Sequence, residues 1–155
     1  MKTDILNFVK TPKQRDYTAQ LEERAVEFHG HGGPFLIIGL RIGLAALDLL
    51  DSGGWFGIRC RAHLRWAPPD SCVIDGVQSS TGCTMGKHNI EVDEAEGIST
   101  EFQAGEKRVK LTLREDTLSF VRDSFDAGDE AVENCMAWLR EAAVEELFHV
   151  EWAQC

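Results

Sequence analysis

Hydrophobic positions along the chain fall into blocks of different period, and each period predicts a backbone. Tyr17, Leu21, Ala25 and Phe28 recur at helical spacing behind Thr11-Pro12, a cap followed by a proline suited to a first turn. A first helix is therefore expected from about residue 12 to 28. It runs into His29-Gly30-His31-Gly32-Gly33-Pro34, too rich in glycine for regular structure, and Pro34 can open a second helix. Phe35 to Leu50 is apolar nearly all round, as expected of a buried central helix. Arg41 and Asp48 interrupt that run, which falls short of the ~20 residues needed to span a bilayer. Gly39 and Gly43 are read as points of tight helix packing.

The period then changes from helical to alternating. From Trp55 to Trp66 the chain alternates, with Phe56, Ile58, Cys60, Ala62, Leu64 and Trp66 on one face and Arg59, Arg61, His63 and Arg65 on the other. This predicts a half-buried strand with a cationic outer face. Pro68-Pro69-Asp70-Ser71 offers a stop and a cap for a short helix carrying Val73, Ile74 and Val77, with Cys72 in its first turn. Period-two sets follow at Ile90 and Val92, at Ile98, Thr100 and Phe102, and at Val109, Leu111 and Leu113; the last two form a hairpin around Gly105. Helical stripes close the chain: Leu118, Val121 and Phe125, then Val132, Cys135, Met136, Leu139, Ala143, Leu147 and Val150. The predicted fold is α+β: an antiparallel or mixed sheet of about four strands packed with a buried central helix and C-terminal helices. Residues 1–155 are read as a single domain.

Composition changes this picture only in its electrostatics. The 155 residues are 43% hydrophobic, enough for one core, and carry a formal net charge of −10. Residues 115–155 hold 11 acids against Arg122 and Arg140, so the acidity belongs to the C-terminal helices. An acidic chain is poorly suited to the phosphate backbone, and neither a nucleic acid nor a membrane is expected as partner. No secretory pattern opens the sequence, so a cytoplasmic protein is expected. In a reducing compartment the five cysteines are thiols or metal ligands rather than disulfides. Cys60, Cys135 and Met136 lie on apolar stripes and are read as core; Cys155 is terminal and read as inert.

The remaining chemistry centres on His29-Gly30-His31, two imidazoles that a fixed loop could turn onto one ion. Cys72 and Cys83 supply sulfur downstream, and two histidines with two cysteines match a tetrahedral zinc site in ligand type; nickel or iron would also accept them. Buried cysteines beside a packed histidine pair are the bland alternative. Cys72, at a helix N-terminus, is expected to have a lowered thiol pKa and is also the best nucleophile candidate. Asp75, Gln78 and Lys87 could orient a ligand or bind a small anionic substrate, and Gln78 and Lys87 are candidate substrate-holding residues. Taken singly, Asp75 reads more simply as a surface acid and Lys87 as a solvated charge. Arg59, Arg61, His63 and Arg65 read either as a solvated face paired with the acidic C-terminal helices or as an anion-binding surface.

Three motifs in order, Phe28-His29-Gly30-His31-Gly32-Gly33-Pro34 with Gly39-Leu40-Arg41, Cys72-Val-Ile-Asp75-Gly-Val-Gln78, and Thr81-Gly82-Cys83-Thr84-Met85-Gly86-Lys87-His88-Asn89, resemble the formylmethanofuran dehydrogenase E-subunit family. The resemblance covers roughly residues 17–95. It implies an α+β domain, commonly a homodimer, with a metal site formed by the His-Gly-His loop and the two cysteine motifs. The family is associated by name with a molybdenum or tungsten enzyme acting on methanofuran, although many relatives stand alone. Gly33 occupies a position where the family usually has cysteine, and the C-terminal cysteine-rich module of many relatives is absent from this sequence. His29, His31, Cys72 and Cys83 thus remain as a zinc-type set, with Cys72, Gln78 and Lys87 as candidate catalytic residues. Two rivals stand beside this reading: an accessory protein with a vestigial pocket, and a metal-independent thiol enzyme in which Cys83 resolves Cys72.

Overall fold

A computed structural model describes residues 11–154 of the chain; Cys155, read as inert, lies outside the described residues. Helix α1 spans Ala19–His29 and begins where the Thr18 hydroxyl accepts the Leu21 N–H at 3.1 Å. The expected start near residue 12 is too early. The lead-in instead ties to the chain just beyond the second helix, with the Lys13 N–H donated to the Gly53 carbonyl at 2.9 Å. Helix α2 spans Pro34–Leu50, opens on its proline as expected, and buries 14 of its 17 residues.

Strand β1 covers Arg59–Leu64, shorter than the alternation from Trp55 suggests, because Trp55–Gly57 form a 3-10 turn with Trp55 at φ 61°. Helix α3 (Cys72–Thr81) then crosses over to β2 (Ile90–Glu94), which lies parallel to β1 with Cys60 opposite Ile90. Strands β3 (Ser99–Ala104) and β4 (Lys107–Leu113) form the expected antiparallel hairpin. Helices α4 (Glu115–Ala127), α5 (Asp129–Glu141) and the short α6 (Val144–Leu147) precede β5 (Phe148–Gln154). The fold class is α+β as predicted, on a mixed sheet of five strands in the order β2-β1-β3-β4-β5.

The fifth strand corrects the reading of the C-terminus as helix through Val150. Helix α5 stops at Glu141, because Ala142 turns extended at φ −57° and ψ 146°. Phe148, Val150 and Trp152 then alternate along the edge, opposite Leu113, Leu111 and Val109 of β4. Without β5, the outer edge of β4 would leave a row of unpaired backbone groups.

Cys60, Ala62, Leu64, Phe102, Val109, Leu111 and Leu113 point from the sheet into the core, where α2 covers them and Val73 and Val77 of α3 and Cys135 are buried in the same cluster. On the other face, Arg61 pairs with Glu91 and with Asp93 at 2.9 Å, and His63 Nε2 meets Glu101 at 2.7 Å. The expected pairing of these cations with the acids of the C-terminal helices is not what forms. They pair within the sheet because β2 and β3 flank β1 and place Glu91 and Glu101 directly opposite Arg61, whereas α5 packs on α2 behind the sheet.

The tight packing expected of Gly39 and Gly43 is present, and α3 is what approaches them. A Cβ on Gly39 would overlap the Val73 carbonyl and stand 2.9 Å from Gly76 Cα, and one on Gly43 would collide with Ser80. Gly76 answers from the other side, where a Cβ would overlap the Leu36 carbonyl. Because Gly39 meets Val73 and Gly76 while Gly43 meets Ser80, the two helices run in the same direction. A backbone atom cannot rotate out of the way, so Gly39→Ala must push the helices apart. We expect this substitution to cost about 3 kcal/mol or more in urea unfolding; the exposed Gly57→Ala, with nothing within 4 Å of its Cβ, should stay near wild type.

Candidate metal centre

Helix α1 ends on His29, and Gly30 closes it at φ 104°, a left-handed conformation that returns its N–H to the Val26 carbonyl at 2.6 Å. This turn places His31 just ahead of Pro34, at the start of α2. Cys72 is the first residue of α3. Because α2 and α3 are parallel and in contact, their N-termini lie side by side. One ligand atom each from His29, His31 and Cys72 lies within 4.8 Å of the others. In a tetrahedral zinc site with bonds of about 2.0–2.3 Å, donors stand roughly 3.5 Å apart, so a small closure brings the three onto one ion.

Asp75 lies one helical turn beyond Cys72, on the same face of α3. Its Oδ2 meets His29 Nδ1 at 2.5 Å, which corrects its reading as a simple surface acid. With Nδ1–H donated to the carboxylate, the lone pair of the ring sits on Nε2. That atom is buried and has no hydrogen-bond partner among the described residues. The His31 ring lies against the His29 ring, centroid to centroid 4.5 Å. A buried, unpaired acceptor costs about 1–3 kcal/mol, and a cation at that point would satisfy it. The residues present therefore fit a metal ion.

Two further contacts hold the frame. Arg122 of α4 donates through both terminal nitrogens to Asp70, at 3.1 and 2.9 Å, while the Asp70 carbonyl accepts the Val73 N–H at 3.1 Å. Asp70 is buried, so this bidentate pair anchors the entry to α3 two residues before Cys72. The sequence marks Asp70 only as part of a stop and a helix cap and gives no sign of its partner 52 residues away. Gln78 Nε2 donates to Asp75 Oδ1 at 3.4 Å and its Oε1 accepts the Met85 N–H at 3.1 Å, linking the carboxylate to the loop after α3. Lys87 is turned into its own loop, with Nζ donating to Thr84 Oγ1 at 2.9 Å and lying 5.6 Å over the Phe56 ring.

Cys83, expected as a ligand, is not brought to this group. It follows the C-terminus of α3 while Cys72 opens it, and a ten-residue helix holds its ends about 15 Å apart. Cys83 is 0% exposed, its N–H is held by Thr81 Oγ1 at 3.0 Å and its Sγ donates to the Ile58 carbonyl at 3.6 Å. The lowered pKa expected of Cys72 is also reversed. Burial first, then the neighbouring Asp75 carboxylate, push its thiol up, and the backbone hydrogen bond at the helix start is too weak to compensate. At Gly33 the added Cβ would meet only His31 within 4 Å, with Nε2 at 3.9 Å, so the space in front of His31 is open.

Fold and site together define an α+β protein with a His-His-Cys centre at paired helix N-termini. The chain belongs to the FmdE family: the family model described as "FmdE, Molybdenum formylmethanofuran dehydrogenase operon" matches residues 28–153. Among solved structures, a tungsten formylmethanofuran dehydrogenase FmdE-like protein from Syntrophus aciditrophicus superposes with a TM-score of 0.60. That match covers 94% of this chain and 77% of the other at 21% identity, and it shows the shared fold. A protein of Archaeoglobus fulgidus named "Probable S-adenosyl-L-methionine-binding protein" is 37% identical over 71 residues, which span 43% of this chain and 19% of that protein.

Burial raises the thiol pKa of Cys60, Cys83 and Cys135 as well. A thiol whose pKa is raised on folding contributes stability that is complete below its unfolded value, near 9.0, and lost as pH climbs toward the folded value. The metal-free protein should therefore lose unfolding free energy above about pH 9, and Cys60→Ala should flatten that decline relative to wild type in urea titrations.

Proposed function

We propose that the chain binds a divalent metal ion, zinc by ligand type, through His29 Nε2, His31 and Cys72 Sγ, and presents it to a small-molecule ligand in the open space beside Gly33. The buried, unpartnered Nε2 of His29 carries this reading, since a packed histidine pair would leave that lone pair unanswered. Charge supports it too: a Cys72 thiolate and the Asp75 carboxylate together balance a divalent cation. Two imidazoles and a sulfur disfavour magnesium or calcium and suit zinc, with nickel and iron as the other ions of the same preference.

When bound, the ion supplies Lewis acidity to whatever occupies the open position. Asp75 fixes the His29 tautomer and ring angle, and Gln78 holds Asp75 against the loop that carries Met85. The thiol-enzyme alternative is less well supported. Burial and Asp75 keep Cys72 protonated in the absence of metal, and Cys83 sits a helix length away.

Metal content after zinc loading and gel filtration in reducing buffer tests the proposal. Wild type and Cys83→Ser should retain an ion, His29→Ala and Cys72→Ser should lose it, and Asp75→Asn should weaken binding by about 10–100-fold. Gly33→Cys is expected to tighten binding, because Gly33 is in extended backbone at φ −176° and a thiol there would face His31. Unchanged metal in both His29→Ala and Cys72→Ser would overturn the reading.

A further inference from the structure

The cationic strip of β1 divides into two kinds of residue. Arg61 and His63 are committed to carboxylates of β2 and β3, and Arg65 Nη2 donates to the Pro68 carbonyl at 2.9 Å. Arg59 has no acid beside it, because β2 begins at Ile90, opposite Cys60, and the residue that precedes it is the neutral Asn89. Its Nη2 reaches only the His88 carbonyl at 3.3 Å.

Across the sheet, Arg59 stands opposite Gln103 of β3, and Gln103 stands opposite Arg108 of β4. Arg108 Nη2 donates to Gln103 Oε1 at 3.2 Å. Neither Arg59 nor Arg108 has a carboxylate within ion-pair distance among the described residues. Two guanidinium groups thus flank one neutral amide in a single row on the outer face. Strands lie about 4.8 Å apart, so the two arginine backbones are about 10 Å apart and both side chains can lean over Gln103.

The three residues line one cavity of about 260 Å³, which Arg61, Glu91 and Glu101 line as well. Those two acids are already engaged, Glu91 by Arg61 and Glu101 by His63, so the free charge facing the cavity is positive. Each guanidinium carries five donors and uses one here, which leaves forks that match the paired oxygens of phosphate or carboxylate. The cavity is smaller than the ~300–1,000 Å³ of pockets for larger ligands, which limits the group held.

We propose that Arg59, Gln103 and Arg108 form a binding site for a small oxyanion, a phosphate or carboxylate group, on the outer face of the sheet. It is separate from the His29, His31 and Cys72 centre, which lies at the helix N-termini behind the sheet. Arg108 joins the site through register alone.

Calorimetric titration of the zinc-free chain at fixed ionic strength tests this, with inorganic phosphate in one arm and malonate in the other. Saturable binding is expected in at least one arm, with the tighter probe identifying phosphate or carboxylate as the natural group. Arg59→Gln and Arg108→Gln should each weaken it about tenfold, as expected for loss of a charged hydrogen-bonding group. Arg65→Gln and Cys72→Ser should bind as wild type. Neither arginine is buried, so unchanged melting temperatures without anion will show that their variants fold. The site is overturned if neither probe binds saturably, if binding survives in the Arg59→Gln/Arg108→Gln double variant, or if Cys72→Ser abolishes it.

Discussion

The close approach of α2 and α3 is the constraint on which the site depends. With Gly39 and Gly43 on one helix facing Gly76 and Ser80 on the other, the backbones touch at distances no side chain would permit. Such contact admits one register, and in that register the helices are parallel. Parallel helices bring like ends together, so the loop that begins α2 and the cysteine that begins α3 meet without any long loop having to carry them. The crossover from β1 to β2 fixes α3 against the sheet, and α2 is buried almost throughout, so the meeting point is set by the core rather than by local flexibility.

That geometry has an electrostatic consequence. Two helix N-termini face the same point, and the positive ends of their dipoles favour an anion there, not a cation. A metal ion is therefore held only if the site supplies more negative charge than histidines provide. The thiolate of Cys72 is one source, and Asp75, reaching His29 at 2.5 Å, is the other. Without metal the same arrangement disfavours ionisation of Cys72, because burial and the Asp75 charge outweigh the helix end. A bound metal and the thiolate would thus require each other, and the group suits a ligand set more than an activated nucleophile.

Most of this is legible in the chain because glycine, proline and period carry it. Pro34 opens α2, the alternation in β1 to β4 sets the sheet, and His29, His31 and Cys72 stand out by type. What the chain hides follows from overlapping signals. Leu139, Ala143, Leu147 and Val150 keep a helical spacing that masks the shorter alternation of Phe148, Val150 and Trp152, and only the open edge of β4 decides between them. Chemistry alone groups Cys83 with Cys72, although the helix predicted between them already forbids it. Asp70 and Arg122, and likewise Arg59 and Arg108, are far apart in sequence and become partners only through the fold.

The same alternation gives β1 two functions. Its even-numbered residues, Cys60, Ala62 and Leu64, seal the core that aligns α2 and α3, while its odd-numbered residues carry charge outward. Which of those charges remains free is decided by where the neighbouring strands begin. Glu91 and Glu101 sit opposite Arg61 and neutralise it, whereas position 59 precedes β2 and faces only Gln103. The net charge of −10 describes neither face, since the acids that produce it are concentrated on the C-terminal helices and local register, not total charge, sets the field above Arg59 and Arg108. A slip of two residues in the register of β2 would place Glu91 beside Arg59 and cancel that field while leaving the composition untouched.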